Sequence, residues 1–268
     1  MKVLITPRGF ANYGLDQVER MKSKGLDVHY NATGKAYTHE EFKALAKDAD
    51  AIIVGVDKMD REMMEGCPNL KAVCKFGVGT DNIDLDYAKE HSIYVGRCVG
   101  SNSRSVAEHV LSMMFMEAKN LYTSVRDVKH HGWNKPTGRE IYGKKLGIIG
   151  LGNTGQATAR IAAAFGMQVC AYTSKPQSQL PGGIRKMELD ELFRECDVVS
   201  LHCPLTPDTK ELVNAARLAL MKPTAILINT GRGPLVNEKD LADALNKGVI
   251  AAAGLDVLSS VPPQYTTP

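Results

Sequence analysis

The chain has 268 residues, of which 44% are hydrophobic and 24% charged, which suffices to bury a sizeable core in one or two globular domains. The formal net charge is +3 at pH 7, and because basic and acidic residues are interspersed, no stripe for binding nucleic acid is expected. No run is long and apolar enough for a signal peptide or a membrane span, and the six cysteines lack a C-x-x-C pair, so we expect a cytoplasmic protein without a metal site.

Short apolar runs rich in β-branched residues alternate with helical patterns along the chain. The predicted strands lie at 3–6, 51–55, 71–76, 93–96, 146–150, 168–173, 197–203, 225–230 and 250–257. Such alternation predicts parallel sheets whose strands are joined by crossover helices. The fold class is therefore α/β.

Helix signals lie between these runs. A capping box is predicted at Thr38 to Glu41, and a helix is predicted to begin at Asn237 and stop at Gly248. A long helical pattern over 105–122 separates two series of strands. We expect two doubly wound units rather than one nine-stranded sheet, residues 1–98 forming the first and residues 99–268 the second. The apolar face of the long helix is either a homodimer interface or part of the core.

The run LGIIGLGNTG at 146–155 has the glycine spacing G-x-G-x-x-G between a predicted strand and a predicted helix. In this context the motif predicts a Rossmann βαβ unit over 143–175 that binds NAD or NADP. Gly150 would permit a tight turn, Gly152 would let the backbone approach the pyrophosphate, and Gly155 would let the helix pack closely. A purely structural glycine turn is the alternative.

The residues after the second strand of this unit bear on the choice between NAD and NADP. An acidic side chain there would accept a hydrogen bond from the ribose 2′-OH and repel a 2′-phosphate, but the sequence has Thr173, Ser174 and Lys175. Two hydroxyls and a cation give a slight preference for NADP. Alternatively, Lys175 is a solvated loop residue and backbone groups hold the ribose.

Two later strands end in residues suited to a small acid and its cofactor. Arg232 follows the strand at 225–230, at the carboxyl edge where open α/β sheets bind ligands. Its guanidinium could bind a carboxylate through paired hydrogen bonds, although an arginine between two glycines can also be a solvated turn residue. Asp256, near the end of the last predicted strand, could accept a hydrogen bond from a carboxamide.

Six separate segments are more specific than the glycine loop alone. They are KFGVGTDNIDL (75–85), NSRSVAEH (102–109), GIIGLGNTG (147–155), DVVSLHCPLTPDTKELVN (197–214), MKPTAILINTGRGPLVNE (221–238) and AAGLDVLSS (252–260). Together they resemble the D-isomer-specific 2-hydroxyacid dehydrogenases, which include phosphoglycerate and glycerate (hydroxypyruvate) dehydrogenases. The resemblance implies a flavodoxin-like substrate domain, a Rossmann dinucleotide-binding domain, and hydride transfer between a nicotinamide cofactor and a small 2-keto or 2-hydroxy acid such as hydroxypyruvate, glyoxylate or phosphohydroxypyruvate.

The resemblance also implies roles for single residues. Val78 and Gly79 would offer backbone groups to the substrate carboxylate, and Arg232 would clamp the 2-keto acid. The implied cofactor contacts are Asn153 and Thr154 at the pyrophosphate, Thr230 at the nicotinamide, Asp256 at its carboxamide, and His202, Cys203, Pro204 and Gly231 along the cleft.

The sequence departs from the family where the proton donor is expected. Family members carry a Glu before a proline shortly after the GLDV strand and a catalytic His further on, whereas this chain has Val261 and ends at Pro268 before such a histidine. We therefore expect both domains to be incomplete, the first without its returning C-terminal helix. Two hypotheses stay open, namely a dehydrogenase and a cofactor-binding chain without turnover. For His109 and His202 a structural role is favoured.

Overall fold

The computed structural model describes residues 1–260. Contacts divide the chain into two compact units, Met1–Ser101 and Asn102–Pro268. The expectations that concern Val261 and the tail after it lie outside the described residues. Within residues 1–260, no helix combines the length and the apolar character that crossing a bilayer requires.

The N-terminal unit contains one parallel sheet. Its strands are β1 (Lys2–Ile5), β2 (Asp27–Tyr30), β3 (Ala51–Val54), β4 (Ala72–Lys75) and β5 (Tyr94–Arg97). Its helices are α1 (Leu15–Lys22), α2 (His39–Ala46), α3 (Arg61–Glu65) and α4 (Leu85–Glu90). The strand order β2-β1-β3-β4-β5 is that of flavodoxin-like folds, which confirms the predicted class.

Three of the four helices of this unit, α2, α3 and α4, begin at residues whose side chains cap the helix N-terminus. The predicted capping box is confirmed at α2, because the Glu41 N–H donates to Thr38 Oγ1 at 3.3 Å and the Thr38 N–H donates to Glu41 Oε2 at 2.7 Å. Apolar side chains cover both faces of the sheet, with Leu4 in one buried cluster and Val3 in another. Adjacent residues of a strand point to opposite faces, so the sheet is covered by helices on both sides.

The C-terminal unit also contains one parallel sheet. Its strands are β6 (Lys145–Ile149), β7 (Gln168–Tyr172), β8 (Ile184–Lys186), β9 (Val198–Leu201), β10 (Ile226–Asn229) and β11 (Ala252–Leu255). Its helices are α5 (Ser103–Ala118), α6 (Leu121–Lys129), α7 (Asn153–Ala164), α8 (Leu189–Glu195), α9 (Ala215–Leu218) and α10 (Glu238–Asn246). The order β11-β10-β9-β6-β7-β8 is the Rossmann arrangement, again as predicted.

The single helix predicted over 105–122 is wrong, because the structure has two helices there. The first, α5, ends at Ala118, and Asn120 then adopts a left-handed conformation with φ of 52° before α6 begins. Asparagine tolerates this conformation better than most residues do. The buried residues of α5, among them Val110 and Met114, belong to the core, so the core interpretation of its apolar face is the correct one.

The strand order reverses between β6 and β9, which are neighbours in the sheet although β7 and β8 intervene in the sequence. Ligands of open α/β sheets bind beyond the carboxyl ends of the strands at such a reversal. The loops that start at Gly150 and His202 leave the sheet at this place. We therefore expect a ligand to bind near these two loops.

Candidate active site

The glycine loop follows β6 and joins it to α7. Gly150 has φ of 97°, and a Cβ there would lie 2.6 Å from the Cys203 nitrogen. A Cβ on Gly155 would lie 2.2 Å from the Gly150 carbonyl oxygen, whereas a Cβ on Gly152 would meet nothing within 4 Å. Two of the glycines therefore allow close backbone packing, and the third faces open space that a ligand can approach.

Helix α7 begins at this loop with an N-terminus suited to an anion. Its N-cap residue is Gly152, which has no side chain to cap the first N–H groups, and its first turn contains no acidic residue. Asn153 and Thr154 form that turn, and Thr154 Oγ1 lies 3.5 Å from Ser103 Oγ. Free N–H groups and the positive end of a helix dipole favour a phosphate at this position.

A cavity of about 630 Å³ lies between the glycine loop and the end of β7. Of the predicted cofactor residues, its lining includes Gly150, Gly152, Thr173, Ser174, Lys175, Cys203 and Pro204. Asn153, Thr154, Gly155, His202, Thr230, Gly231, Arg232 and Asp256 are not among its lining residues. The structure thus joins the residues after β6, β7 and β9 around one space.

The lining also includes two charged residues that the sequence did not indicate, Lys186 and Glu188. They belong to β8 and to the start of α8, and β8 was not predicted. The three-residue strand Ile184–Lys186 has only one buried residue. The Pro181-Gly182-Gly183 turn before it was the available sign of a new element.

His202 occupies the first position after β9. Its backbone N–H donates to the Ile149 carbonyl at 2.7 Å. On the side chain, the imidazole Nε2 lies 2.9 Å from Ser200 Oγ, a buried hydroxyl. Burial lowers the pKa of His202 to about 4, so the imidazole is neutral at pH 7. This agrees with a structural role and makes His202 poorly suited to donate a proton.

The turn after β10 holds Thr230, Gly231 and Arg232. Asn229, which is fully buried, fixes it from within, since its Nδ2 donates to the Arg232 carbonyl at 2.9 Å and its Oδ1 accepts from the Gly231 N–H at 3.0 Å. The Arg232 Nη1 donates to the Gly231 carbonyl at 2.8 Å. Asn229 therefore sets the backbone from which the arginine projects, a role that the sequence did not reveal.

Two polar groups complete this edge of the sheet. Thr230 Oγ1 is buried and has no hydrogen-bond partner within residues 1–260, which is unusual for a hydroxyl and is consistent with a ligand that supplies the partner. Asp256 follows β11, and its Oδ1 lies 3.4 Å from His109 Nε2 beside a second cavity of about 340 Å³. The Asp256 and His109 side chains are both half-exposed.

In the N-terminal unit, Val78 and Gly79 lie in the loop after β4 and are half-buried. Gly77, the second residue of this loop, has φ of 153°. Lys75 and Asn82 tie it to the loop after β3, because the Lys75 Nζ donates to Asn82 Oδ1 at 2.6 Å and Asn82 Nδ2 donates to the Gly55 carbonyl at 3.2 Å. The sequence had not singled out Lys75 or Asn82.

These observations fit a dinucleotide. The glycine cradle, the uncapped helix N-terminus and the unpartnered Thr230 hydroxyl are all found along one edge of the C-terminal sheet. Within residues 1–260, no group of three or more His, Cys, Asp or Glu side chains could hold a metal ion. The fold and this edge together define the class, an α/β oxidoreductase with a Rossmann dinucleotide-binding unit.

Comparison with known families agrees. Residues 9–181 match the catalytic domain of the D-isomer specific 2-hydroxyacid dehydrogenases, and residues 111–268 match the NAD binding domain of that family. The chain belongs to this family of nicotinamide-dependent oxidoreductases, as the six segments had suggested.

Relatives with known names are similar over most of the chain. A hydroxypyruvate reductase of Thermotoga maritima is 37% identical over 247 residues, which cover 91% of this chain and 79% of the relative. A glyoxylate reductase of Pyrococcus furiosus is 34% identical, with 97% of this chain and 80% of the relative covered. The crystal structure of a D-lactate dehydrogenase from Aquifex aeolicus, complexed with NAD and lactic acid, has a TM-score of 0.81 at 32% identity and covers 97% of this chain and 78% of its own.

Proposed function

We propose that this chain reduces a small 2-keto acid of the hydroxypyruvate, glyoxylate or phosphohydroxypyruvate class with a nicotinamide cofactor. The observation that carries the proposal is the place of Arg232, which projects from the carboxyl end of β10, on the same sheet edge as the glycine loop. The reductases of Thermotoga maritima and Pyrococcus furiosus, named for hydroxypyruvate and glyoxylate, support this substrate class.

The proposal assigns substrate binding to residues whose chemistry suits a carboxylate and a carbonyl. Arg232 would bind the 2-keto acid through charge-assisted hydrogen bonds, which fix the orientation of the carbonyl. In the N-terminal unit, the backbone N–H groups of Val78 and Gly79 would bind the substrate carboxylate. The nicotinamide supplies the hydride when it is bound, and the alkoxide oxygen of the reduced acid would take its proton from water.

The same proposal assigns the cofactor contacts. Gly152 would leave room for the pyrophosphate, which the N–H groups of Asn153 and Thr154 would bind, while Gly150 and Gly155 would allow the tight turn and the close packing of the helix that follows. The remaining proposed contacts are Thr230, Gly231 and Asp256 at the nicotinamide end, and His202, Cys203 and Pro204 along the cofactor. The unpartnered Thr230 hydroxyl supports a polar ligand atom at that position.

We propose a modest preference for NADPH over NADH. The absence of a carboxylate among Thr173, Ser174 and Lys175 supports it, since an acidic residue there would repel the 2′-phosphate. The D-lactate dehydrogenase of Aquifex aeolicus was complexed with NAD, so the preference rests on these three residues and not on that structure.

We also propose a cytoplasmic homodimer. The six cysteines are free thiols, as a reducing compartment favours. The partner surface would be α6 rather than α5, because Leu121, Val125 and Val128 follow one another at helical spacing and are 50%, 55% and 53% exposed. Sedimentation should give a dimer for the wild type and a monomer for Val125→Asp. A monomeric wild type would disprove this part of the proposal.

The test of the enzymatic proposal is oxidation of NADPH and NADH in the presence of hydroxypyruvate, glyoxylate or phosphohydroxypyruvate. We expect turnover by the wild type and a loss of about 100-fold in kcat/KM for Arg232→Ala, the scale set by a charge-assisted hydrogen bond of about 2–3 kcal/mol. Arg194→Ala removes an exposed arginine of α8 and is the matched control.

The alternative function is cofactor binding without turnover, which Val261 at the position of the family Glu favours. It predicts that the wild type and the Arg232→Ala variant both bind NADPH and that neither oxidises it with any of these acids. That result would reject the reductase proposal while leaving the dinucleotide site in place.

A further inference from the structure

Lys186 connects the edge strand β8 to the loop that carries the residues proposed to discriminate between NADP and NAD. Its Nζ donates to the Lys175 carbonyl at 2.9 Å, and its side chain lines the same 630 Å³ cavity as Thr173, Ser174 and Lys175. Lys186 is half-buried whereas Lys175 is exposed. Lys186 is therefore held more firmly than Lys175, although the sequence pattern had indicated only Lys175.

The backbone around Lys186 is held on two sides. Its N–H donates to Gln177 Oε1 at 2.7 Å, and the Gln177 Nε2 donates to the Ile184 carbonyl at 2.9 Å. Lys186 also pairs with Ala171 of β7 in the parallel ladder. Because the strand and the loop are fixed by these bonds, the ammonium group is confined to one region of the cavity wall.

We propose that Lys186 is the cation that gives this cavity its selectivity for the 2′-phosphate of NADP(H), with Lys175 as a weaker second contact. This inference rests on the proposed function, because it concerns the cofactor of the same site. An ammonium group has three N–H donors, and the Lys175 carbonyl takes one of them. The others can donate to phosphate oxygens, and the hydroxyls of Thr173 and Ser174 can add neutral hydrogen bonds.

The cavity also contains a carboxylate, which must be weighed against the lysines. Glu188 lines the wall, but it is the N-cap residue of α8 and forms a capping box with Glu191. Its charge is therefore partly offset by the positive end of that helix. Two cations against one capped carboxylate leave a net positive wall, as a phosphomonoester requires.

The test compares NADPH with NADH, which differ only in the 2′-phosphate, by fluorescence titration of binding. We expect the wild type to bind NADPH more tightly, and Lys186→Met to weaken NADPH binding roughly ten-fold while NADH binding is unchanged, as for one lost charge-assisted hydrogen bond. Lys186→Arg should restore most of the preference. Lys247→Met, which removes an exposed lysine elsewhere in the same unit, is the control of equal charge.

A competition experiment isolates the phosphate further. Adenosine 2′,5′-bisphosphate should displace NADPH better than adenosine 5′-monophosphate does, and this advantage should shrink in Lys186→Met. If Lys186 only holds the loop through the Lys175 carbonyl, the variant will weaken both nucleotides equally, which overturns the inference. Equal or tighter binding of NADH by the wild type also overturns it, although a reductase using NADH would still stand. Failure to bind either dinucleotide would reject the proposed function as well.

Discussion

Replacing His202 should change how the stability of the protein depends on pH. Burial lowers the pKa of this histidine from 6.5 to about 4. The unfolded chain therefore takes up a proton below pH 6.5, whereas the native protein takes it up only near pH 4. Because the unfolded state binds more protons in this window, the native state loses stability as the pH falls through it.

The size of the effect follows from the two pKa values. Between pH 7 and pH 5 the wild type should lose ~2 kcal/mol of unfolding free energy through His202 alone. His202→Gln retains an amide that can bond with Ser200 Oγ but cannot be protonated. Between pH 7 and pH 5 the unfolding free energy of the variant should therefore fall by ~2 kcal/mol less than that of the wild type.

Urea unfolding followed by circular dichroism at pH 7, 6 and 5 measures this difference. Carboxylates that titrate at low pH affect both proteins alike, so the comparison isolates the histidine. His131→Gln removes an exposed histidine and is the control. If wild type and His202→Gln lose stability in parallel, the imidazole is not kept neutral by burial, and its structural assignment fails.

Two further substitutions test the packing of the separate units. In Gly147→Ala the new Cβ would lie 2.5 Å from Leu192 Cδ2 and 2.8 Å from Cys196 Sγ. We expect thermal unfolding to show a loss of about 1–3 kcal/mol in the free energy of unfolding. Gly182→Ala is the control, because a Cβ on Gly182 meets nothing within 4 Å. In the N-terminal unit, buried Asn31 donates to the Thr6 carbonyl at 3.1 Å and the Lys35 carbonyl at 2.8 Å. Asn31→Ala removes the donor to the Thr6 carbonyl and leaves the Lys35 carbonyl only the longer hydrogen bond from Thr33 Oγ1 at 3.3 Å, so it should cost about 1–3 kcal/mol in urea unfolding. Stability equal to that of the wild type would contradict this account.

The parts of the fold that the sequence predicted well are those with a continuous apolar signal. The strands β6, β9 and β10 lie inside the C-terminal sheet, are buried on both faces and appear as apolar runs. The two strands that were missed, β2 and β8, are both edge strands. The Asp27–Tyr30 segment alternates exposed with half-buried residues, so it carries no such run.

The end of α5 was missed for a different reason. Leu121 and Val125 continue the apolar period beyond Ala118, so periodicity alone extends the helix. The break depends on the backbone of one residue, Asn120, whose left-handed conformation redirects the chain into α6. Leu121 and Val125, which made the two helices look like one in the sequence, lie on an exposed face of α6. For this reason the proposed dimer surface is α6 and not α5.

Edge strands limit the prediction of the candidate site as well. Glycine spacing predicts pyrophosphate binding because the turn, the open approach and the helix N-terminus all follow from local sequence. In our proposal the choice between NADP and NAD depends in addition on Lys186, which lines the cavity with Glu188, and these two residues come from an edge strand and from the start of the helix after it. Edge strands have the weakest sequence pattern in a sheet, and in the Rossmann order the edge strand lies beside the one that ends at the ribose. Cofactor binding is therefore easier to predict from such a sequence than cofactor preference, and a substitution at Lys186 tests that distinction directly.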